Sequence, residues 1–146
     1  MIVVIQRVVN ASVKVEDKMV SSISNGMLIL LGISNSDSKE NITKMTNKIS
    51  KLRIFNDDSN IMNRDINQVF GEILVVSQFT LYGDTKKGNR PSYINAAKPD
   101  IAEPLYNMFV SELDKLINNK VKTGVFGANM SVDIMNDGPV TLIIEN

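Results

Sequence analysis

Histidine, cysteine and tryptophan are absent from the 146 residues, and aromatic residues make up only 5% of them. Without imidazole or thiol there is no Ser-His or Cys-His nucleophilic system, and the thiolate and imidazole ligands of most zinc sites are missing. The lack of cysteine fits a reducing compartment, where disulfides are rare. An excess of charge is also missing: 16 Lys and Arg balance 16 Asp and Glu, and the pI is near 6.3. There is thus no global field to hold a long nucleic-acid backbone. The apolar start, Met1 to Ile5, stops at Gln6-Arg7, far short of a secretory core or a membrane span, and reads as a first strand. These absences move attention to hydroxyls, amides and backbone N–H groups.

A hydrophobic content of 43% against 22% charged residues describes a folded domain, and one domain over 1–146 is the natural count. No repeat, low-complexity tract or linker interrupts it. Val13 and Val15 alternate with polar residues, and Ile23 leads through Asn25-Gly26 into the apolar run Met27 to Leu31. Asn-Gly between such runs predicts a hairpin, and five consecutive apolar residues predict a strand without a wet side. From about Lys39 to Leu52 the period changes: Ile42, Met45, Ile49 and Leu52 form one helical stripe, with Lys44, Lys48 and Lys51 on a solvated side. Residues 55 to 60 read as a turn in which Asp57 and Asp58 are solvated, and Ile73 to Val76 as a buried strand.

Residues 83 to 99, rich in Gly, Asn, Lys and Pro, predict a long loop. Pro99 and Asp100 open a second helix, with capping-box-like spacing at Asp100 and Glu103, Pro104 in its first turn, and a stripe of Leu105, Met108, Phe109, Leu113 and Leu116. Three short strands follow at Val121 to Val125, Met130 to Met135 and Val140 to Ile144. The expected fold class is α/β, with mostly antiparallel sheets and two covering helices.

Two polar segments stand against these strands. In Val75 to Tyr82 a period of two puts Gln78 and Thr80 on one face, where an amide and a hydroxyl can hold a carbonyl-bearing ligand or satisfy backbone groups where the strand frays. Thr80 as a nucleophile would need a base, and neither Lys86 nor Lys87, adjacent in a Gly-Asn loop, suits that role. Polarising an acyl carbonyl with strand-end N–H groups is the more economical design. In the second segment, Asn136 to Thr141, Gly138-Pro139 reads as a tight turn; only proline makes a cis bond cheap enough to consider there. Gly124 to Ala128 lacks the spacing and the Lys-Ser/Thr ending of a Walker motif, and Phe126 can serve either as core or as a base-stacking ring.

The chain resembles the D-aminoacyl-tRNA deacylase family over its full length. The resemblance rests on Met1 to Val8, Ala11-Ser12-Val13, Ser77-Gln78-Phe79-Thr80-Leu81, Arg90-Pro91-Ser92 and Asn136-Asp137-Gly138-Pro139-Val140-Thr141. It implies a barrel-like core and a cytoplasmic homodimer with its active sites at the interface. It further implies a substrate of tRNA charged with a D-amino acid or glycine, and neither metal, other cofactor nor membrane. Ser77, Gln78, Phe79 and Thr80 would line the catalytic pocket, with the Phe79 and Thr80 N–H groups on the oxyanion and the tRNA 2′-hydroxyl, rather than Thr80, taking part in the reaction. Gly138 and Pro139, joined by a cis bond and reaching across from the partner, would hold the α-amino group and reject L side chains. Phe126 would lie near the adenine, and Lys86, Lys87 and Arg90 would contact phosphates. A binding module that captures the tRNA end without turnover is the alternative, ahead of a purely structural dimerisation domain or a hydrolase of another acyl substrate. Tyr82-Gly83 and Tyr93-Ile94-Asn95 depart from the usual surroundings of the motifs and could tune substrate range.

Overall fold

The computed structural model describes residues 1–146, and its sheet is organised around one long strand. That strand, β1 (Ile2–Val15), pairs antiparallel with β2 (Lys18–Ile23) through Ala11 to Val15 and with β3 (Gly26–Gly32) through Ile2 to Val8. Both therefore use the same edge of β1, one after the other. The β1–β2 connection is Glu16-Asp17, with φ of 48° and 60°, the positive pair that a tight two-residue hairpin requires. The Asn25-Gly26 hairpin expectation is overturned: β2 and β3 do not pair with each other.

Gly26 serves a different purpose. It opens β3 beside Glu72, so close that a Cβ would stand 1.8 Å from the Glu72 carbonyl oxygen. Here β3 pairs in parallel with β6 (Glu72–Ser77), which pairs in parallel with β7 (Lys122–Thr123). The sheets are largely antiparallel, as the sequence predicts, with parallel pairing confined to β3–β6 and β6–β7, and the two helices belong to those two parallel crossovers. The first crossover carries α1 (Lys39–Ser50) and a small hairpin of β4 (Phe55–Asn56) and β5 (Met62–Arg64); the second carries α2 (Pro99–Asp114).

The periodicity in these elements is resolved by packing. Along β3 and β6, Met27, Ile29, Ile73 and Val75 enter the larger core with Ile42, Met45 and Ile49 of α1 and Phe109 and Leu113 of α2. The alternate residues Leu28, Leu74 and Val76 join Val8, Ala11 and Val13 on the other face. Five consecutive apolar residues thus serve two cores, each fully buried side chain contributing about 1.5–3 kcal/mol. In α2 the buried stripe is Ala102, Tyr106, Phe109 and Leu113; Leu105 and Met108 lie at its margin. The helix begins at Pro99 with Lys98 as N-cap and no side-chain cap, so the Asp100–Glu103 box is not formed and Pro104 falls beyond the first turn. No helix is long and apolar enough to cross a membrane.

The sheet curls until β2 meets β7, where Ser21 Oγ donates to the Thr123 carbonyl and Lys122 Nζ to the Ser22 carbonyl, both at 2.7 Å. This contact nearly closes a barrel. The final strand, β8 (Ser131–Glu145), lies outside it on the other edge of β1 and pairs with nothing else in the chain. Two of the three strands expected at the C-terminal end are therefore one. Gly138-Pro139 is not a turn but a cis step within β8, where its register with β1 shifts around Val8.

Candidate active site

The site begins where β6 ends. Gln78 N–H still donates to the Leu31 carbonyl at 2.8 Å, continuing the β3 ladder, and the chain then tightens into a 3-10 turn over Phe79–Tyr82. Alternation therefore fails after Ser77, yet the turn still joins Gln78 to Thr80, with Gln78 Nε2 donating to Thr80 Oγ1. The turn sits against Gly32, where a Cβ would lie 3.1 Å from Leu81 Cβ and 3.2 Å from the Gln78 carbonyl oxygen. A side chain at Gly32 would push the turn outward. The first N–H groups of any such turn, here those of Phe79 and Thr80, have no partner within it.

Beside the turn lies a cavity of about 640 Å³. Ser77, Gln78 and Phe79 form one part of its wall, Tyr93 and Ala96 to Pro99 with Ala102 another, and Phe126 to Met130 with Val132 a third. Most of this lining is apolar. Phe79, 58% exposed, meets Tyr93 edge to face, with ring centroids 5.2 Å apart and planes at 71°. Phe126 leans on Tyr106, centroids 5.6 Å apart, and the Tyr106 hydroxyl donates to the Val75 carbonyl at 2.9 Å. Burial raises the pKa of Tyr106, so this hydroxyl remains a neutral donor that anchors the aromatic wall to β6. Phe126 is thus both a packing residue and a wall of the cavity.

The remaining expected site residues lie apart. Thr80 is exposed and reaches the lining only through Gln78. Lys86, Lys87 and Arg90 are exposed at the tip of the loop beyond the Asp84–Ser92 bridge and do not line the cavity. Gly138 and Pro139 are outside it too, on exposed β8.

Arg7, read from the sequence only as the end of an apolar run, supports the Gly138-Pro139 step. It is 5% exposed, and its Nη1 donates to the Ile54 carbonyl at 2.7 Å and to Asn56 Oδ1 at 3.2 Å. Its Nε lies 2.7 Å from Asp137 Oδ2 but off the N–H direction, so this is an ion pair rather than a directed hydrogen bond. Asn136 Nδ2 donates to the Arg7 carbonyl at 3.0 Å and the Val140 carbonyl at 3.2 Å. The two residues that precede the cis step are therefore both held to one residue of β1, and Asn136 also spans the step to Val140. An arginine just after an apolar run was the available signal; its partners were too distant in sequence to name.

Fold and site together define a small α/β barrel protein with an aromatic, largely uncharged pocket beside unpaired backbone donors, suited to acyl chemistry without imidazole or thiol. Comparison with known proteins sharpens this class. The family model described as D-Tyr-tRNA(Tyr) deacylase matches residues 4–145. The chain is 56% identical over 144 residues to a D-aminoacyl-tRNA deacylase of Flavobacterium psychrophilum, covering 99% of this chain and 96% of that protein. It is 53% identical over 143 residues to one of Bacteroides thetaiotaomicron, covering 98% and 95%. A solved structure titled c-Myc DNA Unwinding Element Binding Protein superposes with a TM-score of 0.94 at 42% identity, covering 100% of this chain and 99% of that one. A probable eukaryotic D-amino acid tRNA deacylase, 18% identical with a TM-score of 0.83, shares the fold over 98% of this chain and 97% of its own. The chain belongs to the D-Tyr-tRNA(Tyr) deacylase family.

Proposed function

We propose that the cavity receives the 3′ end of a tRNA charged with a D-amino acid, and that the protein hydrolyses the ester to the terminal ribose, releasing free amino acid and tRNA. Family membership sets this reaction class. The observation that carries it to this site is the aromatic cavity walled by Phe79, Tyr93 and Phe126 and edged by Ser77 and Gln78. Aromatic rings accept an unstacked terminal base, and Phe126 is assigned to the adenine.

An aminoacyl ester is labile, so orientation and oxyanion stabilisation suffice without a strong side-chain base. The N–H groups of Phe79 and Thr80 stabilise the developing oxyanion, Gln78 organises the pocket, and the Thr80 side chain positions rather than attacks. The 2′-hydroxyl of the terminal ribose takes part beside the attacking water. As the tetrahedral intermediate collapses, the bond to the ribose oxygen breaks and that oxygen takes up a proton.

The site is completed by a second copy. The free edge of β8 and its exposed Ile134, Met135, Leu142 and Ile143 support a homodimer, and Gly138-Pro139, on that strand but outside its own cavity, supports a site shared between subunits. In this arrangement the partner's Gly138 and the partner's Pro139 present carbonyl oxygens to the α-ammonium. An L side chain is excluded, whereas glycine, having none, is accepted. Lys86, Lys87 and Arg90 meet phosphates farther along the acceptor end. The 146 residues act as one domain, in the cytoplasm where charged tRNA is used.

D-tyrosyl-tRNA incubated with the protein in chelator tests the reading: free D-tyrosine and intact tRNA are expected. Binding of the acceptor end with the ester left whole would overturn it in favour of a non-catalytic tRNA-end module.

A further inference from the structure

Of the 18 residues lining the cavity, Lys98 is the sole one with a full charge. It takes part in none of the seven ion pairs of the fold, so no carboxylate neutralises it. Its backbone is well anchored. The Lys98 carbonyl accepts from Ile101 and Ala102 N–H at 3.0 and 2.8 Å as α2 begins, and the neighbouring Ala97 N–H donates to the Ile33 carbonyl at 2.9 Å. An unpaired ammonium is thus carried on a fixed base at the wall of an otherwise uncharged pocket.

We propose that Lys98 binds the phosphate on the 5′ side of the terminal nucleoside and so sets the direction in which the charged tRNA end enters; this rests on the function proposed above. The substrate end carries two charges of opposite sign, the α-ammonium of the acyl group and the phosphodiester on the far side of the ribose. A single ammonium on this anchored backbone attracts the phosphate and repels the α-ammonium, leaving the acyl group to the uncharged wall of Ser77, Gln78 and Phe79. The positive end of α2 acts in the same sense. Lys86, Lys87 and Arg90 cannot substitute, because they stand outside the cavity. Lys98 is exposed, so its replacement removes charge without opening the core.

The test uses two non-hydrolysable ligands, 3′-(D-tyrosylamino)-3′-deoxyadenosine with and without a 5′-phosphate. Their affinities are measured calorimetrically for the wild type, Lys98→Ala and Lys98→Arg, alongside turnover of D-tyrosyl-tRNA. The 5′-phosphate is expected to tighten binding to the wild type and Lys98→Arg by about tenfold, an advantage lost in Lys98→Ala. With D-tyrosyl-tRNA, Lys98→Ala should raise KM, leave kcat in place and lower the salt slope of binding by about 0.7. A phosphate advantage that is absent from the wild type, or that survives in Lys98→Ala, would overturn the inference while leaving the deacylase reading intact. A wild type that neither binds these ligands nor cleaves D-tyrosyl-tRNA would overturn both.

Discussion

Arg7 links the stability of the fold to its candidate site. Its guanidinium satisfies the Ile54 carbonyl on one side and pairs with Asp137, next to the Gly138-Pro139 step, on the other. Replacing it with methionine fills the space but leaves a buried carbonyl without its donor and Asp137 without its cation. Because Asp137 is 44% exposed, the cost is below that of breaking a fully buried pair. Arg7→Met is expected to lose about 2 kcal/mol in urea unfolding and to lower turnover of D-aminoacyl-tRNA. Unchanged turnover in a destabilised variant would confine Arg7 to structure. At this scale the sequence was informative where residues act near one another: the Ser77 to Thr80 segment does end a buried strand beside a cavity, with Gln78 on Thr80. Arg7 was illegible because its partners lie 47 to 130 positions away along the chain.

Among the elements, the helices were legible and the strand connections less so. A stripe at helical spacing has few solutions, and α1 follows it. Asn25-Gly26, by contrast, has the composition of a hairpin but stands where two strands pass to the same edge of β1, and Gly26 is needed for close approach to Glu72. Gly26→Ala would drive a methyl into the Glu72 carbonyl; a loss of about 3 kcal/mol or more is expected by chemical denaturation, and a neutral outcome would contradict the register. Glu72 ties the same junction together, accepting from Ser24 N–H at 2.7 Å and Ser24 Oγ at 2.9 Å while pairing with Lys122 at 2.7 Å. The hydrogen bond from Lys122, then those from Ser24, lower its pKa below the ordinary value of 4.5. A carboxylate whose folded pKa is depressed contributes stability above its unfolded pKa and loses that contribution as pH falls through the folded value. Glu72→Gln should therefore be less stable than wild type at neutral pH, with the difference shrinking on acidification below about pH 4.5. Urea midpoints that differ equally at both ends would contradict this. The β8 strand could not be read as one piece, since Gly-Pro normally signals a turn and its pairing partner β1 lies at the other end of the chain.

At the scale of the whole molecule, one chain leaves a surface uncovered. A 15-residue strand with a free edge and a 68% exposed Ile143 invites another copy, and the pocket and the Gly138-Pro139 step lie apart within a single chain. Ile143→Lys places a charge on that face without disturbing the core. It is expected to yield a monomer by light scattering, with D-aminoacyl-tRNA turnover lowered at least about tenfold. A fully active monomer would remove the shared site. The proposed dimer could be named from the sequence only through family resemblance, because an apolar outer face does not name its occupant. Single-turnover hydrolysis of matched D- and L-tyrosyl-tRNA in chelator, with wild type and Thr80→Ala side by side, decides whether this deacylase selects the D ester without a side-chain nucleophile. Both proteins are expected to release D-tyrosine and leave the L ester intact. Equal cleavage of the two esters would contradict chiral selection, and loss of D cleavage in a folded Thr80→Ala would restore Thr80 as the attacking group.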